Sequence, residues 1–269
     1  MTDSFLEKLI TEANRFKRKF NDSGDPNALN EAIYLLVHGS KNPKFLEENE
    51  KEKAQVFVIL GTNYINLYVL SQNKNDLTNA FDSFRRAISQ FSDEEEGGEL
   101  GNLIATVTRI NPPGNDNAEI IQATVAFYDE LIEKNGISSE LHITLLGNKA
   151  NAYRQLSELT LNPEHLQQSI SIHEFLLELV KNNSEFRPGY LSNYGNALRQ
   201  RYSMLGEVED LEKAIEMQEL AISLSSNTGE LGLVYHTLGL SYLEKFKFNR
   251  DVSSGSGRLD DVLRIVAGF

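Results

Sequence analysis

The sequence predicts an all-α protein built as an α-solenoid of repeated helical hairpins, and three observations carry that prediction. The stretch Arg187 to Leu224 divides at Gly206 into two halves, each with apolar residues at helical spacing: Leu191, Tyr194, Leu198 and Tyr202, then Leu211, Ala214, Ile215 and Ala221. Leu211, taken as a register mark, has equivalents at Leu29, Leu77, Ile120 and Leu166, with successive spacings of 48, 43, 46 and 45. A single hairpin cannot bury its apolar face alone, so self-similarity at this period predicts stacked units. Finally, no stretch sustains the period-2 alternation of a strand; the valine-containing piece Gln55 to Leu60 leads into Gly61 and Tyr64 at helical spacing.

In chain order, the first unit runs from about Phe5 to Val37, with Phe16, Phe20, Ala32 and Ile33 on its apolar face. Asn21 to Pro26 forms its turn, and Pro26 sits where a first-turn proline is tolerated. The second unit spans roughly Glu52 to Phe91, its helices joined at Gln72 to Asp76, and the acidic run Asp93 to Gly98 follows as a solvated loop. The third, about Glu99 to Lys134, is the most divergent because Pro112 and Pro113 exclude continuous helix there. The fourth, Ser138 to Asn183, starts its second helix at Asn162-Pro163-Glu164. The fifth is the stretch from Arg187, where Gly206 ends one helix and the acidic Glu207 to Asp210 opens the next. A further first helix, about Gly229 to Lys247, places Leu238, Gly239, Tyr242 and Phe246 where Tyr194, Gly195, Leu198 and Tyr202 stand, giving about five and a half repeats.

The agreement between units is closest in Asn151-Ala152-Tyr153-Arg154-Gln155 against Asn196-Ala197-Leu198-Arg199-Gln200. Gly61 with Tyr68 matches Gly195 with Tyr202; Ala80, Phe84 and Ala87 follow an A-x3-F-x2-A spacing whose first part recurs in Ala123 and Phe127. These residues resemble the tetratricopeptide repeat (TPR) family, in which small residues stand where helices touch. That resemblance implies a right-handed superhelix with the first helices lining a concave surface, and close crossings at Gly61, Gly147 or Ala150, Gly195 and Gly239. The fifth unit looks like the long-period variety found beside CHAT peptidase domains and NB-ARC-type signalling proteins. The period of about 46, the absence of tryptophan and the irregular unit-ending proline depart from the usual pattern.

Composition narrows the function. With 26 Lys and Arg against 39 Asp and Glu, the net charge of -13 argues against nucleic acid or an anionic membrane as partner. There is no cysteine, and the five histidines lack metal-ligand spacing, so no metal and no cofactor is expected. The amphipathic N-terminus lacks a secretory apolar core, and no apolar run approaches the roughly 20 residues that span a bilayer; a cytoplasmic location is expected. No phosphate loop, HExxH motif or nucleophile constellation is present, so the segment is expected not to be an enzyme. His142 near Glu140 and His173 before Glu174 read as ordinary pairs on solvated helix faces.

The candidate site is a polar ladder. Asn148, Asn151 and Arg154 lie at i, i+3 and i+6, and Asn193, Asn196 and Arg199 repeat the order one unit later, with Asn14 and Lys17 a partial copy. Residues three apart share a helix face. Asparagine both donates to and accepts from a peptide backbone, and arginine holds a carboxylate at two points. The ladder therefore points to capture of a peptide or protein segment, the alternative role being that the asparagines hold neighbouring helices together. Gln155 and Gln200 lie just past the two triplets.

The expected organisation is a TPR-like superhelical domain over residues 1–250, a flexible linker over 251–257 and a terminal amphipathic helix over 258–269. Arg258 to Phe269 has two readings. Leu259 lies 48 residues after Leu211, as the second helix of a sixth hairpin requires, whereas the Ser/Gly run before it suits a tethered peptide that lies in the groove in cis or trans. The functional expectation is a non-enzymatic peptide- or protein-binding module. The rivals are a sensor or regulatory region of a larger signalling protein, such as a CHAT-type peptidase, and an oligomerisation scaffold.

Overall fold

The computed structural model describes residues 4–90, 118–133, 139–181, 185–225 and 228–252, and among them every regular element is an α-helix. The described residues form eleven helices in order: α1 Phe5–Ser23, α2 Pro26–Gly39, α3 Pro43–Glu47, α4 Glu50–Ser71, α5 Lys74–Ile88, α6 Ala118–Glu133, α7 Ser139–Thr160, α8 Pro163–Leu179, α9 Arg187–Leu205, α10 Val208–Leu224 and α11 Thr228–Val252. The chain forms two compact units, Met1–Leu145 and Leu146–Phe269, with the division inside α7. Helices pack in pairs: α1 on α2 and α4 on α5 in the first unit, α9 on α10 in the second. The acidic run after Gln90, the proline pair and Arg258 to Phe269 lie outside the described residues.

The register marks predict the turns. Five residues before Leu29, Leu77, Leu166 and Leu211 the backbone enters the left-handed region, at Gly24 (φ 69°), Gln72 (φ 54°), Leu161 (φ 53°) and Gly206 (φ 77°). Each ends one helix, and the following residue begins the next. There Asp25, Asn73 and Asn162 accept hydrogen bonds from the backbone N–H two residues on, at 3.0, 3.1 and 2.9 Å, satisfying donors that a helix start leaves open. Glu207 occupies the same position in the fifth hairpin without a side-chain cap.

Burial corrects one mark. Counting from Ile120 puts half-buried Ala123 and exposed Glu130 at positions that are buried in α10. Counting from Ile121 places Thr124, Val125, Tyr128 and Leu131 there, all buried. The mark in α6 is therefore Ile121, and Thr124 and Tyr128, rather than Ala123 and Phe127, stand with Ala80 and Phe84. With that change, residues three, four and seven after the mark are buried in all five second helices: Ala32, Ile33, Leu36; Ala80, Phe81, Phe84; Thr124, Val125, Tyr128; Ser169, Ile170, His173; Ala214, Ile215, Gln218. The apolar spacing was detectable in α6, but two adjacent isoleucines left its phase ambiguous by one residue.

In the first unit Phe81 stands edge-on to both Phe84 and Phe127, with ring centroids 5.8 and 5.6 Å apart, and Arg85 grips the Glu130 carboxylate with two 2.7 Å bonds. Helix α4 is apolar enough to cross a membrane by length and composition alone. Its Ala54, Val56, Phe57, Leu60, Ile65 and Tyr68 are buried. In the second unit Leu166 and Ile170 of α8 meet Tyr194, Ala197 and Leu198 of α9 and Ala214 of α10. Leu211 and Ile215 meet Leu238 of α11.

Two predicted crossings are tight for the same reason. A Cβ added at Gly61 would stand 2.4 Å from the Phe84 ring, and one at Gly195 would stand 2.8 Å from Gln218 Cγ and 3.0 Å from the Ala214 carbonyl oxygen. Phe84 and Gln218 each follow their glycine by 23 residues, so the two contacts are equivalent. At Gly147 the near neighbour is Tyr190 of α9, 2.6 Å away, while Ala150 is fully buried.

Candidate functional site

The polar ladder lies wholly in the second unit, on α7 and α9, and all six side chains are half-buried. Helices α7 and α9 lie side by side in register. Arg154 donates to Gln200 Oε1 at 3.3 Å; Gln200 Nε2 in turn donates to Ser157 Oγ at 2.7 Å and to the Arg154 carbonyl at 3.3 Å. One helix further, Arg199 pairs with Glu244 of α11 at 2.8 Å. Each of these contacts joins residues 43 to 46 apart, the period read from the sequence.

The two arginines are thus committed. Arg154 holds Glu158 one turn along its own helix at 2.7 Å, and Arg199 holds Glu244, with both of those side chains about three-quarters buried. Each of these pairings uses the guanidinium's Nη1, so an incoming carboxylate would meet a glutamate already in place. Asn196 Oδ1 accepts from Gln218 Nε2 at 3.3 Å. Asn148, Asn151 and Asn193 differ: among the described residues their side-chain amides make no hydrogen bond. The ladder therefore separates into arginines and Asn196, which tie helices together, and three half-buried amides with open donors and acceptors. Gln200 belongs to the tie between helices, and Gln155 is exposed.

Beneath this face runs a buried polar seam that sequence reasoning did not single out. Gln218, fully buried, donates to Asn196 and accepts from Ser241 Oγ of α11 at 2.8 Å, bridging two first helices through one second helix. His173 stands 45 residues earlier at the same register position and is also fully buried. This corrects the solvated reading of His173. Glu174 takes the outer direction, where it accepts from Tyr194 Oη at 2.7 Å, and His173 turns inward. Neither ring nitrogen of His173 has a partner, nor has Ser169 Oγ one turn before it. Burial, with a smaller contribution from the Arg154 charge, lowers the His173 pKa to about 4, so its ring is neutral at pH 7. The signal was present in the sequence: a residue seven after each register mark is inward, whatever its polarity.

Among the described residues no group of three or more His, Asp or Glu is arranged to hold a metal ion. No family model matches the chain, and no curated protein matches it by sequence. Among solved structures, the chain is similar to the crystal structure of BtubC (BKLC) from P. vanneervenii. The two are 16% identical, the match covering 99% of this chain and 92% of that one with a TM-score of 0.43, and similarity at that level carries no argument about function.

Proposed function

We propose that the chain is a TPR-like α-solenoid acting as a non-enzymatic binding module, and that an extended peptide segment lies across the asparagine-bearing face of α7 and α9. The observation that carries this reading is the contrast on one ladder: Asn148, Asn151 and Asn193 keep unused amides while Arg154 and Arg199 are already paired. A peptide backbone offers alternating donors and acceptors, which asparagine amides satisfy without needing charge. The preferred ligand is accordingly a segment recognised through its backbone rather than through an acidic side chain or terminal carboxylate.

The test is selection of a random twelve-residue displayed peptide library against the full chain, followed by titration of the enriched peptides. Replacing both Asn151 and Asn193 by Ala removes two neutral hydrogen-bonding groups, which at about 1 kcal/mol each weakens binding roughly tenfold or more. The helical circular dichroism should be unchanged. Enriched peptides that bind the double variant as tightly as the parent would overturn the site, and failure to enrich any peptide would overturn the function. In that second event, self-association measured by sedimentation would favour an oligomerisation scaffold.

A further inference from the structure

Helices α8 and α10 hold equivalent places in successive hairpins and are neighbours: Lys213 of α10 reaches Glu174 of α8 at 3.6 Å, and Leu177, Met217 and Leu220 pack against one cluster, Leu191, Ala221 and Val234. Their outer sides repeat a pattern. Residues nine and thirteen after the register mark are Phe175 and Leu179 in α8 and Leu220 and Leu224 in α10. Phe175, Leu179 and Leu224 are 53%, 47% and 41% exposed, and Leu220 is half-buried. At the same positions the first unit carries His38 and Asn42, Arg86 and Gln90, and Glu130. The hairpin therefore folds without apolar residues there, and folding does not account for them. Four apolar side chains, paired at i and i+4 on neighbouring helices, make a patch of the kind that marks an interaction surface. Acid surrounds it. Helix α8 carries three carboxylates and α10 five, against a single lysine, Lys213. Glu178 stands three residues after Phe175 and Glu216 four before Leu220, so both flank the apolar stripes. Among the described residues Glu216 has no ion pair, and Glu178 meets only Lys181, at 3.8 Å.

We propose that Phe175, Leu179, Leu220 and Leu224 form a docking surface separate from the asparagine face, and that its occupant is a cationic amphipathic helix of a partner protein. Charge selects the sign of the partner. A second copy presenting the same patch would bring carboxylates against carboxylates, and an anionic bilayer would meet the same repulsion. A helix with lysine or arginine beside its apolar stripe instead pairs with Glu178 and Glu216 while its apolar side chains cover the patch. The helical form follows from the chemistry of the surface. Carboxylates accept hydrogen bonds and do not donate them, so the carbonyls of an extended segment would find no partner there, whereas a helix satisfies its own backbone. The unused amides of Asn148, Asn151 and Asn193 suit an extended backbone; the outer side of α8 and α10 suits a helix.

The probe is a fluorescent helical peptide of leucine and lysine only, with leucines at i, i+3, i+4 and i+7, titrated against the full chain at about 0.15 M salt. It should bind, and its counterpart with glutamate in place of lysine should not. Phe175→Ser/Leu179→Ser should weaken binding at least tenfold. Glu178→Gln/Glu216→Gln should also weaken it and flatten its salt dependence. Glu31→Gln/Glu47→Gln removes the same charge from exposed positions of the first unit and should leave binding unchanged, which separates the patch from the general attraction of a chain of net charge -13. No binding by the parent, undiminished binding by the serine variant, or equal losses in the two glutamine variants would overturn the proposal. So would a dimer of the parent in sedimentation that the serine variant abolishes, which would assign the patch to a second copy. Should the serine pair unfold the protein, the two glutamine variants, confined to exposed side chains, decide between them. Asn151→Ala/Asn193→Ala should not change the affinity for this probe, so failure here and failure of the function proposed above are read separately.

Discussion

His173 and Gln218 occupy the same register position in successive hairpins, both without solvent exposure, yet only Gln218 has hydrogen-bond partners. The position is Leu36 in α2 and Phe84 in α5, so it belongs to the apolar core, and polar atoms there need partners. Its facing residue matters as well. Gly195 makes room for Gln218, whereas Ala150 stands in the corresponding place for His173 and Ala13 for Leu36. Leucine opposite alanine is thus already used by the first hairpin. His173→Leu is expected to stabilise the protein by roughly 1–3 kcal/mol, since it removes two buried ring nitrogens without partners. Chemical denaturation at pH 7 measures this, and destabilisation by the same amount would mean that the imidazole is satisfied in solution.

The same histidine sets a pH dependence. Its folded pKa, about 4, lies below the ordinary value of 6.5, so the unfolded chain binds the proton more readily. The stability it contributes is fully present above pH 6.5 and is lost as pH falls toward 4, by an amount on the order of 3 kcal/mol. Denaturation of the parent and of His173→Leu, compared from pH 7 to pH 4, should diverge, because the parent carries the histidine loss on top of the carboxylate-driven loss common to both. Parallel curves across that window would show that His173 does not titrate differently on unfolding.

Gly195 lies under the ladder, between Tyr194 and Asn196. Even one methyl group there meets the Ala214 carbonyl at 3.0 Å, and backbone, unlike the end of a side chain, cannot step aside. Gly195→Ala is therefore expected to cost about 1–3 kcal/mol despite the better helix propensity of alanine. At Gly147 the obstacle is the Tyr190 ring, a side chain that can rotate, and Gly147→Ala should cost less. Equal melting temperatures for the two variants would contradict the crossing geometry.

Leu161 makes the left-handed turn between α7 and α8 that Gly24 and Gly206 make in their own hairpins, and it is 76% exposed. A branched side chain in this backbone region costs roughly 1–2 kcal/mol, more than the roughly 0.5–1 kcal/mol of extra chain entropy that glycine loses on folding. Leu161→Gly should raise stability by up to about 1 kcal/mol, and Gly206→Ala should lower it. A fall in melting temperature for Leu161→Gly would mean that the leucine makes a contact outweighing its backbone strain.

The hairpins were legible because their turns, caps and inward residues keep fixed distances from one mark, and Pro26, Pro163 and Gly206 fall at helix ends as their chemistry requires. Helix α3 was not anticipated: five residues opened by Asn42 and Pro43 carry too little periodicity to register. The site was half legible. Spacing placed Asn148, Asn151 and Arg154 on one helical face, but the commitment of Arg154, Asn196 and Arg199 depends on partners on other helices, 22 to 46 residues away. Glu244 and Gln218 look like ordinary surface residues in isolation, and only the alignment of successive helices turns one toward Arg199 and the other into the core.

That alignment makes Arg199 and Glu244 the clearest separation between a strut and a ligand clamp. The pair spans α9 and α11 with each side chain roughly three-quarters buried, so it is less screened than a surface ion pair, and Arg199 Nε is buried without a partner. A strut predicts that Arg199→Ala and Glu244→Ala each destabilise the protein. The double variant should then cost less than the two singles combined, with a coupling of about 1 kcal/mol, at the upper end of exposed pairs. A clamp predicts instead that Glu244→Ala frees the guanidinium and increases affinity for peptides ending in a carboxylate. Denaturation of the four proteins of the cycle, with titration of each by one enriched peptide in its carboxylate and amide forms, distinguishes the two. The expected result is measurable coupling in stability and no discrimination between the two peptide ends in the parent; an Arg199→Ala variant of unchanged stability that loses only the carboxylate form would reverse the assignment.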